Sequence, residues 1–314
     1  MLALKRKAAE RAPAALVQTP EGVALARVDR RSGGPRVERC RFEPIPEGGD
    51  REQALRRLVR SQGLGRRACS AVMDLGSYQL LLVEAPDVPP AELRAAMRWR
   101  IRDLIDFHVD DAVIDVFDAP PTGAGGAQRQ LYVVVARANV VREQVELYQR
   151  AGADLQIVDV PELALRNVAG LLPEDDTGVA MLYFNAGRGL ITLTRRSTLY
   201  LARTLDVGWE QLGDGADPEH AGQLLDTLAL EVQRSLDYYD RHFQQAPVNT
   251  LVIAPGPQPA PRMVGHLQQS LGMNVRELDS GVLLEGGDGS VDRRHGGPCL
   301  LALGAALRTE RRSL

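Results

Sequence analysis

The chain has 314 residues, 44% of them hydrophobic and 25% charged, with a formal net charge of −3. That composition belongs to a soluble globular protein of about two domains, exerts no global pull toward nucleic acid, and holds no apolar run near the ~20 residues a membrane span needs. Cys40, Cys69 and Cys299 are scattered and odd in number, which argues against a disulfide framework or a CxxC metal site, and lysines confined to Lys5 and Lys7 exclude a P-loop and a Schiff-base lysine in the folded body.

Residues 1–12 are basic and helix-prone. Two readings stand: a tail touching acidic lipid headgroups, or a frayed, solvated terminus. No apolar segment follows Lys5, Arg6 and Lys7, so no signal peptide is read there. Residues 16–18 and 23–28 read as strands around Thr19-Pro20-Glu21-Gly22, with 36–42 as a third. Asp50 caps a helix over 51–62, with Gly63 as its stop. A strand at 68–73 completes an α/β layout rather than a helical bundle.

Residues 78–152 read as a compact unit. A strand over 79–83 is followed by Val88-Pro89-Pro90, which opens a helix running to about Asp106. Leu93, Met97, Ile101, Leu104 and Ile105 form its apolar stripe, and Arg94, Arg98 and Arg102 a basic stripe beside it. Strands at 112–117 and 131–136 are joined by a flexible loop over 120–126. Asn139 caps a helix over 140–151, ended by Gly152. A strand at 155–160 leads to a helix opened by Pro161, and 173–178 is a polar break, the candidate domain boundary.

Strands at 179–184, 190–194 and 198–203 follow, the first turn carrying Asn185, Gly187 and Gly189. Asp217-Pro218-Glu219 starts a long helix to Phe243. Then come a buried strand at 250–254, the turn Pro255-Gly256-Pro257, a helix over 262–271 stopped at Gly272, a strand at 275–278, a glycine-rich loop over 286–297 and a closing helix over 300–308.

Four segments have a familiar order and spacing: the helix over 91–107; the run 133–151 followed by Val158-Asp159-Val160-Pro161-Glu162 and Ala164-Leu165; Glu231-Val232-Gln233-Arg234-Ser235-Leu236-Asp237-Tyr238-Tyr239; and Leu301-Ala302-Leu303-Gly304-Ala305-Ala306-Leu307-Arg308. Together they resemble the PilM family of actin-like cytoplasmic proteins of type IV pilus assembly, and within it the MshI group of mannose-sensitive haemagglutinin (MSHA) pilus biogenesis. The resemblance implies an α/β, two-domain actin-like (ribonuclease H-like) fold with an αβ subdomain inserted in the first domain. It divides the chain into a basic tail (1–12), a first domain (13–77 and 153–176), the inserted subdomain (78–152), a second domain (177–298) and a terminal helix and tail (299–314). It also implies a partner, since such proteins take the cytoplasmic N-terminal peptide of a PilN-like bitopic inner-membrane protein into a cleft beside the inserted subdomain. On this reading the chain is cytoplasmic and peripheral to the inner membrane, with no nucleic-acid partner. Contact with a pilus assembly ATPase complex and homo-oligomerisation stay open.

Actin-like ATPases grip phosphate with a strand–glycine turn–strand in each half, an acid before the turn holding the metal. The family's first loop, Asp-x-Gly-Ser-Ser, is matched here by Val17, Gln18, Thr19, Pro20 and Glu21; its second, Asp-x-Gly, by Tyr183, Phe184 and Asn185; its adenosine-side Gly-Gly by Pro255-Gly256. Thr19, Gly22, Asn185, Gly187, Gly189, Glu231, Arg234 and Gly256 therefore mark a degenerate nucleotide site. Without the acid the metal lacks its anchor, and Glu21 puts a negative charge where phosphate would sit. The expectation is a non-enzymatic adaptor with no catalytic residue, cofactor or metal. The alternative is an ATP-binding actin-like ATPase with atypical phosphate loops.

Arg94, Met97, Arg98, Trp99, Ile101 and Arg102 are the candidate partner-binding residues. The lobe's hairpin would offer a strand edge, Met97 and Ile101 apolar walls, Trp99 a rim anchor and the arginines an attraction for acidic groups. The competing reading makes Met97 and Ile101 ordinary core and the arginines a solvated face. His108, His220, His242, His266 and His295 lack metal spacing, and no Gly-x-Ser-x-Gly is present. Asp103, Asp106, Asp110 and Asp111 read as a solvated helix end.

Overall fold

The computed structural model describes residues 14–30, 34–122, 129–213, 218–279 and 291–309. The basic tail, most of the 120–126 loop, Asp217 and residues 286–290 of the glycine-rich loop lie outside them.

Three sheets organise the described chain. The first contains β1 (Ala14–Gln18), β2 (Gly22–Asp29), β3 (Arg36–Pro44), β4 (Ala68–Val72) and β8 (Asp154–Asp159), in the order β3-β2-β1-β4-β8. The second contains β9 (Val179–Phe184), β10 (Gly189–Arg195), β11 (Thr198–Leu205), β12 (Thr250–Ile253) and β13 (Asn274–Glu277), in the order β11-β10-β9-β12-β13. The third, between β4 and β8 in sequence, contains β5 (Tyr78–Glu84), β6 (Ala112–Asp118) and β7 (Gln130–Arg137), in the order β5-β7-β6. In both large sheets an antiparallel hairpin meets parallel strands: β1 pairs with β2 and β4, and β9 with β10 and β12. This is the α/β fold with two sheet-centred halves and an inserted αβ lobe that the sequence implies.

The period-two pattern of the buried strands sets the layers, because successive side chains leave opposite faces of a strand. Ala15 and Val17 of β1 and Val179, Met181 and Tyr183 of β9 face a central layer. That layer is made by α4 (Pro161–Ala169) and the closing helix, α8 (Gly296–Ala306). Ala14 and Leu16 face outward to α1 (Arg51–Ser61) and α3 (Ala138–Arg150). Ala180, Leu182 and Phe184 face outward to α6 (Pro218–Phe243) and α7 (Pro261–Leu271). The α8 helix has apolar residues all round, as a helix buried between two sheets must.

The helix ends are where the chain departs from expectation. Asp50 caps α1 as read, its carboxylate accepting from the Glu52 N–H at 3.0 Å. The helix after Val88-Pro89-Pro90 is shorter than read: α2 spans Leu93–Ile101 and then tightens into turns, the Leu104 N–H bonding to the Ile101 carbonyl at 2.9 Å. Asp103 and Asp106 oppose the negative end of a helix dipole. They bond Arg102 at 3.2 Å and Arg137 at 3.3 Å instead. Arg137, not Asn139, is the residue before α3, because β7 runs into the helix without a loop. The closing helix starts at Gly296, four residues before the expected Leu300, with Pro298 in its first turn.

Candidate functional site

The degenerate nucleotide residues fall into three clusters. Thr19 and Gly22 close the β1–β2 turn: the Thr19 hydroxyl accepts from the N–H groups of Glu21 and Gly22, each at 3.2 Å. Asn185, Gly187 and Gly189 form the β9–β10 turn, where the Asn185 side-chain Oδ1 accepts from the Gly187 N–H at 3.2 Å and the Arg188 N–H at 2.7 Å. Backbone donors that a phosphate would need are thus bonded to the chain's own side chains. The Asn185 amide donates to Asp74 at 3.0 Å, joining the second half to the end of β4. Burial lifts the Asp74 carboxyl above its ordinary range, against the pull of that amide, the Leu75 N–H, Arg51 and Arg188.

Gly256 lies under Trp209: a Cβ on it would stand 2.1 Å from the indole Cζ2. The indole also meets Phe184 edge-on at 5.4 Å. The space over Gly256, where the resemblance puts adenosine, therefore contains a tryptophan side chain. Glu231 and Arg234 sit on α6, where Glu231 accepts from Arg203 of β11 at 3.1 Å and from Arg234 at 2.6 Å. Burial pushes the Glu231 carboxyl up, but the bonds from Arg234 and Arg203 outweigh it and hold the carboxyl below its ordinary value.

The candidate partner residues resolve differently. Met97 and Ile101 are 0% exposed and pack with Ala112, Ile114, Leu131, Val133 and Val135. They line no cleft; they are the core that the inner face of the three-stranded sheet requires, which corrects their assignment as groove walls. The arginine stripe is occupied within the lobe. Arg94 bonds Asp115 at 2.9 Å, and Arg98 donates to the Val109 carbonyl at 2.6 Å and pairs with Asp110 at 3.5 Å. Arg102 lies 5.7 Å from the ring centre of Trp99, which is 74% exposed. Of the hairpin read as offering a strand edge, β6 carries one edge of the sheet, β7 is its central strand, and β5 carries the other edge.

The outer face of that sheet holds the lobe in place. Tyr132 packs with Val160, Leu163 and Leu199, with Tyr78, Leu80 and Leu82 beside them, so the lobe rests on both α4 and β11. The Tyr132 hydroxyl donates to the Tyr200 carbonyl at 2.8 Å. The Tyr78 hydroxyl donates to Glu162 at 2.6 Å. Glu162 is fully buried at the start of α4, and burial raises its carboxyl to about 7.

Beside this anchor a cavity of about 280 Å³ opens. Its walls are Leu75 and Gly76 after β4, residues 78–81 along β5, Arg188 of the β9–β10 turn and Thr204 of β11. Since β5 and β11 each end a sheet, the groove runs between two strand edges. A larger cavity of about 620 Å³ lies where α1 and α3 end, walled by Arg56, Arg60 and Arg150. Glu52 bridges Arg56 and Arg150 at 2.5 and 2.9 Å, and Arg56 donates to the Arg150 carbonyl at 3.1 Å. These arginines neutralise helix C-terminal carbonyls. Sequence reasoning missed Asp74, Arg188, Trp209 and the Tyr78–Glu162 pair. Gly76, between two strands, carried a local turn signal; nothing local marked Trp209.

No family model matches the sequence, and no curated protein matches it. Among solved structures, a chain of a PilM–PilN type IV pilus biogenesis complex superimposes with a TM-score of 0.72 at 20% identity, over 94% of this chain and 98% of that one. The cytoplasmic domain of EpsL, an inner-membrane component of the type II secretion system of Vibrio cholerae, gives 0.46 at 13% identity, over 82% and 93%. The ethanolamine utilisation protein EutJ from Carboxydothermus hydrogenoformans gives 0.47 at 9% identity, over 94% and 89%. The fold of the chain is thus that of a PilM–PilN complex component, a two-domain actin-like fold. Among the described residues no helix is long and apolar enough to cross a membrane.

Proposed function

We propose that this chain is a non-enzymatic cytoplasmic adaptor of a type IV pilus assembly machine, of the MshI type, peripheral to the inner membrane. It docks the cytoplasmic N-terminal peptide of a PilN-like bitopic inner-membrane protein. The observation that carries the reading is the groove at the free edge of β5, lined by the lobe and by both halves of the molecule. An extended peptide adds to such an edge through main-chain hydrogen bonds, while Leu80 and Leu81, on opposite faces of β5, meet alternate side chains. The docking element is therefore β5 rather than α2, whose apolar side is core.

The adaptor reading is preferred to the ATPase because the turns that would hold a magnesium nucleotide are bonded to themselves and to Asp74, and the indole of Trp209 covers Gly256. The test is cross-linking. A photo-reactive residue placed at Gln79 is expected to capture the membrane partner's cytoplasmic segment in cells, and the same residue on α7 is not. Capture only at α7, or no capture by either, refutes the reading.

A further inference from the structure

We propose that Arg188 makes the β5 groove selective for an extended segment carrying a carboxylate, with an aliphatic residue two positions away on the same side. This rests on the reading of the groove as a peptide site. Arg188 belongs to the second half of the molecule, yet its side chain reaches across to the turn after β4. A Cβ on Gly76 would lie 2.8 Å from its Nε. Gly76 also has φ of +89°, a left-handed conformation that favours glycine, and the guanidinium lies against the side where a Cβ would stand.

The charge seated there is weakly compensated. Its one ion pair among the described residues is with Asp206 at 3.9 Å, an aspartate whose side chain is 94% exposed. Arg94 and Arg276 meet their acids more closely, at 2.9 Å to Asp115 and 2.7 Å to Glu174. Asp74 stands nearby, but it accepts the Asn185 amide. A planar guanidinium that is half-exposed and has spare donors suits a carboxylate bound through two hydrogen bonds. Leu80 and Leu81, both half-buried on β5, supply the apolar surface in the same cavity. Side chains two apart on a strand share a face, so one peptide face presents both groups.

The experiment pans a displayed library of random twelve-residue peptides on the wild-type chain, on R188E and on R188K. Recovered peptides are then measured by fluorescence anisotropy, and hydrogen exchange of residues 78–84 reports where they sit. Wild type and R188K are expected to select Asp or Glu at one fixed position, with an aliphatic residue two away. R188E should lose at least tenfold in affinity for those peptides and select Lys or Arg at the same position, with an unchanged circular dichroism spectrum. If peptides protect 78–84 but show no charge preference and bind R188E equally, the assignment of Arg188 falls and the groove stands. If peptides protect another region, the groove and the Arg188 assignment fall together.

Discussion

The Tyr78–Glu162 pair makes the anchoring of the lobe depend on pH in a direction opposite to that of a salt-bridged carboxylate. Glu162 has no solvent around it, and burial raises its carboxyl from 4.5 to about 7, the Tyr78 hydrogen bond pulling against the rise and Asp159 adding to it. Between those two values the folded chain holds a proton that the unfolded chain has released. Stability therefore falls as pH rises through that window and levels off above it. At 1.36 kcal/mol per unit the whole effect is about 3 kcal/mol, most of it between pH 5 and pH 8. The variant E162Q keeps an acceptor for the Tyr78 hydroxyl and removes the titration. Urea unfolding of both proteins at several pH values should show the wild type losing ~2–3 kcal/mol relative to E162Q from pH 5 to pH 8. The variant Y78F deletes the bond that favours the charged form, so its transition should move to higher pH. A wild-type minus E162Q difference that is flat across this range refutes the reasoning.

Three further outcomes are expected. Calorimetry with magnesium and ATP should show neither micromolar binding nor phosphate release, since both turn donors and the space over Gly256 are taken; measured turnover overturns this. Met97→Ala should cost ~2–5 kcal/mol in urea unfolding, as deletion of a buried side chain does, with capture at β5 unchanged in the folded fraction. Arg98→Ala removes the 2.6 Å bond to the Val109 carbonyl. It should speed hydrogen exchange over 109–112 by an amount worth ~1 kcal/mol without weakening partner capture; loss of capture at normal stability returns the partner site to α2.

The strands were legible because β9 is an unbroken apolar run and β10 and β11 alternate: all three lie within two residues of the expected positions, and α6 matches at both ends. The partner site was not legible, and the reason is physical. A helix carrying Met97 and Ile101 at four-residue spacing presents the same pattern whether that face meets a core or a ligand. Only the sheet order shows that Leu131, Val133 and Val135 need covering. Likewise Arg188, Asp74 and Gly76 come together from segments more than a hundred residues apart. The loss of the acid at Asn185 was readable locally; the bond that Asn185 makes to Asp74 was not.

That bond joins the two halves of the fold at the turns where an actin-like ATPase would hold its nucleotide, and a single substitution tests whether it serves as the closure. In N185D the oxygen facing the Gly187 and Arg188 N–H groups is retained, while the donor 3.0 Å from Asp74 becomes a second carboxylate oxygen. Two carboxylates at that distance cannot both ionise cheaply. Above neutral pH the variant should be less stable than wild type by ~1 kcal/mol, the cost of one solvent-exposed bond turned repulsive. As pH falls toward 5 the folded pair takes up a proton that the unfolded chain does not, so the deficit should shrink. In N185A the bond is lost with no new charge, and the deficit should change less with pH. Hydrogen exchange at 74–76 and 185–188 should quicken in both variants at pH 8, and in N185D should slow again at pH 5. If N185D matches the wild type at pH 8, or its deficit grows as the pH is lowered, the two halves are held together elsewhere, and the central layer of α4 and α8 alone keeps them closed.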